Sequence, residues 1–153
     1  MKKITIFIFS IILSMSLTSC GEYVYYLQEK PYYEDNDNYM NFEGVIEELY
    51  DEGEDEGIAI LKIAVSENSQ YLTEDYFKLI HDIYEVVYEN GFFTDVAVGD
   101  TVSFVAAPEY FGDGYNVPIV ALSKGETTYI DFTLGKKLLL DRYDSFFGYV
   151  FSD

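Results

Sequence analysis

The sequence predicts a small, mainly β domain of the α+β class, an antiparallel sheet with one packed helix at about 73–90. Three observations lead there. Short apolar runs with period-2 alternation recur between turns rich in Gly, Asp and Asn. One segment, 73–90, instead repeats its apolar residues at the 3.6-residue period of a helix. The length, 153 residues, suits one ordinary domain and hardly two.

The N-terminus precedes that domain. Lys2 and Lys3 give a basic start, and Ile4 to Met15 is an apolar run broken only by Thr5, Ser10 and Ser14. Such a run can engage export machinery but is short for a membrane span, which needs about 20 residues. It closes on Leu17-Thr18-Ser19-Cys20. Basic start, apolar run and lipobox, in that order, resemble the precursors of bacterial lipoproteins; the resemblance covers residues 1–20. It implies a cleaved signal helix at 4–18 within a signal peptide 1–19. It also implies a diacylglyceryl group on the sulfur of Cys20 and a lipid-anchored, extracytoplasmic protein of the cell membrane or outer membrane. An ordinary signal peptide with a chance Cys, or an uncleaved anchor helix, is the other reading.

Residues 20–41 sustain neither period and gather the acids and amides Glu34 to Asn38. They read as a lipidated, acidic, Tyr-rich tether. Six tyrosines (23, 25, 26, 32, 33 and 39) exceed what a spacer needs. Either they dock on a partner or on lipid headgroups, or part of the segment packs on the domain or adds an edge strand.

The domain is expected at 42–153. Phe42 to Tyr50 reads as a first strand and Ile58 to Val65 as a second, with Ala59, Leu61, Ile63 and Val65 on one face. The loop between them is too long for a tight type I′ turn. Thr73 is a candidate N-cap, Glu74 and Asp75 suit a first turn, and Leu72 can staple onto Phe77. Tyr76, Phe77, Ile80, Ile83, Tyr84 and Val87 then form one stripe, ended by Asn90-Gly91. Three more strands follow at 101–107, 117–122 and 127–133, with turns at Gly112-Asp113-Gly114 and Lys124-Gly125. Pro118 cannot donate to a ladder and belongs at a strand start or edge. The tail reads as a short helix around Leu138-Leu139-Leu140 and a strand-like Phe147 to Phe151. Five strands and one helix resemble an OB-like barrel in number. In OB folds the helix follows the third strand, whereas the periodicity here puts it after the second.

Charge and residue usage exclude several chemistries. With one Cys and one His there is no Cys/His zinc cage, disulfide framework or Cys–His pair. A formal charge of −19, from 28 acids against nine bases, argues against nucleic acid as a partner. Lys2 and Lys3 precede Cys20 and every acid follows it, so a processed chain carries −21 over 134 residues. No cofactor is called for and no catalytic residue is assigned. His81 with Glu85 one turn on has the spacing of a base and its orienter, but no nucleophile or Gly-x-Ser-x-Gly elbow accompanies them. A boundary histidine on a helix is the other reading. Asp51, Glu52, Glu54, Asp55 and Glu56 make an oxygen-rich loop that is a weak cation candidate, without calcium-loop spacing; self-repulsion favours simple solvation. Tyrosines interleaved with acids suit a Lys/Arg-rich protein surface. The expectation is therefore non-catalytic contact with a basic protein, with a sugar- or peptide-binding module as the alternative. A carboxylate-based hydrolase is less favoured, because 28 acids offer pairs without geometry.

Overall fold

The computed structural model describes residues 29–53, 56–72, 75–108 and 117–150, the last five without their side chains. Six strands form one sheet: β1 (Met40–Asp51), β2 (Ile58–Val65), β3 (Tyr76–Ile80), β4 (Thr101–Ala106), β5 (Val117–Lys124) and β6 (Thr127–Ile130). Helix α1 covers 29–34, α2 His81–Glu89, α3 Phe92–Asp95 and α4 Phe132–Val150. The α+β, mainly antiparallel class expected from the sequence is what the chain adopts.

Hydrogen bonding runs in the order β3-β2-β1-β4-β5-β6, and a parallel pairing of β3 with β5 closes the first five strands into a barrel. Closure rests on Phe77 opposite Val117 and Lys78 opposite Pro118. Pro118, with no N–H to give, sits at this seam near the start of β5. The closed order β1-β2-β3-β5-β4, with a helix between β3 and β4, is an OB-like layout.

That closure corrects the helix boundary. The helix expected at 73–90 begins only at His81, and Tyr76–Ile80 is the third strand. Tyr76 to Ile80 is apolar enough to satisfy either period over five residues. Within it Phe77 and Leu79 alternate into the core, and β2 supplies a ladder from Ile58 opposite Ile80 to Lys62 opposite Tyr76. The N-cap proposed at Thr73 lies outside the described residues. With β3 counted, the helix follows the third strand, so the mismatch with an OB-like order disappears. The C-terminal end stands as expected: α2 stops at Glu89, and Gly91 takes φ +83° to start the next turn.

A second correction concerns the tail. α4 is one helix through Val150, which replaces the short helix and the strand at 147–151. It lies against β5, and Gly135 is the point of contact: a Cβ there would stand 1.8 Å from the Val120 carbonyl oxygen. β1 narrows similarly at Gly44, where a Cβ would come within 2.6 Å of the Ala64 oxygen. A register shift between Ile46 and Glu48 then lets the strand bend around the barrel.

The core holds Phe42, Ile46, Leu61, Ile63, Phe77, Leu79, Phe104, Ile119 and Leu122 from the strands. Ile83, Tyr84 and Val87 of α2 and Phe92 of α3 close one end. Residues 29–41, within the segment read as a tether, pack on this body. Tyr33 is buried against Tyr143, with ring centroids 5.9 Å apart. Tyr39 meets Phe132 edge-on, and Met40 opens β1. The signal helix at 4–18 and the turn at 112–114 fall outside the described residues.

Candidate functional site

The β1–β2 turn and α2 meet around a recess of about 430 Å³ lined by Glu56, Gly57, His81, Asp82, Tyr84, Glu85, Tyr88 and Glu89. Two local features build it. Gly57 takes φ +60°, and its carbonyl accepts the His81 N–H at 2.6 Å, which fixes the turn to the first residue of α2. His81 itself takes φ +43°, a left-handed geometry that His tolerates better than most side chains. It lets the chain leave β3 and enter the helix in one step.

Along α2 the spacing does the rest. Tyr84 and Tyr88 are four residues apart and stack with centroids 5.9 Å apart; Glu85 and Glu89 run beside them at the same interval. The rings therefore form one wall and the carboxylates of Asp82, Glu85 and Glu89 the rim, with Glu56 facing them from the turn. The Tyr84 ring is buried, while its hydroxyl donates to Asp51 Oδ1 at 2.8 Å. Tyr88 is half-exposed. Of these residues, His81 and Glu85 were singled out as a chemical pair, and Tyr84 as a core residue. Glu89 falls with Asp82 and Glu85 on the polar side of the predicted helix, whereas Tyr88 is not connected with them, although its i,i+4 spacing from Tyr84 is a readable signal.

His81 and Glu85 both line the recess. Partial burial of the ring pushes its pKa below the ordinary value, Arg142 and Lys78 push the same way, and Asp82 alone opposes them. The imidazole forms part of the recess lining beside Gly57 and Asp82.

The cation candidates divide. Asp51 ends β1 and is held by the Tyr84 hydroxyl and by the Gly53 N–H at 2.9 Å. The Glu52 N–H is taken by the Ile58 carbonyl, Glu56 lines the recess, and Glu54 and Asp55 lie outside the described residues. Among the described residues no three His, Cys, Asp or Glu side chains come together as a metal site.

A second surface lies on the outer face of β1, β2 and β3. Lys62 stands in its middle, 3.1 Å from Glu47, 3.6 Å from Glu48 and 4.0 Å from Asp75, and 5.9 Å from the Tyr76 ring centre. The carboxylates, Glu47 foremost, raise its pKa, so it stays charged. Tyr50, exposed beside it, donates to Glu48. No described helix is long and apolar enough to cross a membrane.

Compared with known proteins, the chain matches no family model, no curated protein and no solved structure.

Proposed function

We propose that this chain is a lipid-anchored protein of the cell envelope whose OB-like barrel binds a basic protein segment without catalysis. One observation carries the binding half of the reading: four carboxylates and the half-exposed Tyr88, stacked on the buried Tyr84, line a single recess beside α2. A Lys ammonium or Arg guanidinium entering it meets opposite charge on the rim and a π face on the wall. The lipobox that ends at Cys20 supports the anchoring half. A charge of −21 after processing attracts cationic partners over about a Debye length, ~8 Å at physiological salt.

The test is fluorescence anisotropy of a labelled oligolysine peptide against the mature domain at low and high salt. Glu85→Gln with Glu89→Gln is expected to weaken binding several-fold more than Glu43→Gln with Glu67→Gln, which removes equal charge elsewhere. Equal losses from the two double variants would mean that overall charge, not the recess, attracts the peptide.

The alternative, a sugar- or peptide-binding module, draws on the β1–β2–β3 face, where Tyr50, Tyr76 and Lys62 are grouped. OB barrels bind oligosaccharides on the corresponding strands. Glycan-array binding lost on Tyr76→Ala, with the oligolysine result negative, would move the assignment there.

A further inference from the structure

The position of the N-terminal segment constrains how the barrel is held. α1 is bound to the far half of α4: the Tyr143 hydroxyl donates to Glu29 at 2.8 Å, Lys30 pairs with Asp144, and Tyr33 is buried on Tyr143. The Lys136 ammonium donates to the Glu34 carbonyl oxygen at 2.6 Å and lies 5.3 Å from the Tyr39 ring centre. Only residues 21–28 separate Cys20 from this docked segment. Fully extended, that stretch spans about 30 Å, and any other conformation spans less.

Charge distinguishes the same corner. α1 and α4 carry Lys30, Lys136, Lys137 and Arg142, four of the seven bases that follow Cys20. They carry four acids, Glu29, Glu34, Asp141 and Asp144, so the pair is neutral on a strongly acidic chain. Elsewhere three bases face 24 acids. A bilayer with anionic headgroups repels most of the surface and tolerates this corner best.

We propose that the corner formed by α1 and α4 rests on the headgroup plane of the bilayer that holds the Cys20 lipid. The proposal depends on the lipid-anchor reading above. The β1–β2 wall then faces away, because α4 packs on β5 and the closed strand order places β5 across the barrel from β1 and β2.

The chain has no Trp, so one introduced Trp is a unique fluorescence donor. Full-length lipidated protein is reconstituted in phosphatidylethanolamine/phosphatidylglycerol vesicles with a headgroup-linked dansyl acceptor. Ser145→Trp, on exposed α4, is compared with Val45→Trp, on exposed β1. Lys137→Trp and Ala64→Trp repeat the comparison at a second pair of exposed sites. Energy transfer is expected to be several-fold stronger from α4 than from the barrel wall. A Gly/Ser insert of about 20 residues after Gly21 is expected to abolish the difference. Equal or reversed transfer, in protein that floats with the vesicles, overturns the orientation alone. Failure to float removes the anchor, and the proposal with it.

Discussion

The hydroxyl of Tyr84 donates to Asp51 Oδ1 at 2.8 Å, joining the middle of α2 to the last residue of β1. The bond ties the acidic turn to the helix and holds open the recess between them. Tyr84→Phe keeps the buried ring and removes only this link. It is expected to cost about 1 kcal/mol in urea unfolding, the usual net value of one hydrogen bond, and to weaken oligolysine binding at the recess. An unchanged unfolding midpoint would mean that the bond exchanges freely with water.

Tyr33 tests whether the N-terminal segment belongs to the folded body. It is 3 % exposed, thirteen residues after Cys20, among the rings of Tyr32 and Tyr143. Tyr33→Ala in the mature domain is expected to lose about 3 kcal/mol, the scale of large aromatic truncations. Protease accessibility of the peptide bonds around Glu34 is expected to rise with it. A variant as stable as its parent would reduce the segment to a tether.

Gly135 has a sharper requirement. A methyl group there would press on the Val120 carbonyl, which is backbone and cannot swing aside. Gly135→Ala is expected to destabilise the domain by about 3 kcal/mol or more, against the small gain that Gly→Ala brings in an unobstructed helix. Thermal unfolding compares it with Gly125→Ala at the β5–β6 turn, where a Cβ would meet nothing and only the φ of +57° opposes the change.

The single imidazole gives a pH prediction free of overlap. Partial burial first, then Arg142 and Lys78, lower the His81 pKa, and Asp82 opposes. In NMR its titration midpoint is expected below the ordinary value of about 6.5, moving up in Arg142→Gln. The unfolded chain then binds this proton more readily than the folded one. The stability contribution is complete above about pH 6.5 and is lost as pH falls through the lowered folded value. A midpoint above that of free histidine would put Glu85 or Glu89 in direct contact with the ring.

How much of this was legible in the sequence depends on competing signals. β2 was readable to the residue, because Ala59, Leu61 and Ile63 alternate strictly into the core. The end of α2 was readable from Asn90-Gly91, since glycine there supplies a positive φ. β3 was not, because four apolar residues around Lys78, leading into a helix, satisfy both periods. What makes Tyr76–Ile80 a strand is the ladder with β2 and the parallel seam with β5, both distant in sequence. α4 was underestimated at its C-terminal end because the aromatic and β-branched run Phe147-Gly148-Tyr149-Val150-Phe151 has the composition of a strand. The recess was half legible: acids in the turn and on the helix were visible, but the His81–Gly57 and Tyr84–Asp51 hydrogen bonds that bring them face to face were not.

The lipid on Cys20 underlies both the location and the orientation proposed for this protein, and metabolic labelling tests it most directly. Cells expressing the full chain are grown with radiolabelled palmitate, and the immunoprecipitated protein is counted beside a Cys20→Ala variant. The account predicts label in the parent chain and none in the variant. No label in the parent, or equal label in both, would contradict it.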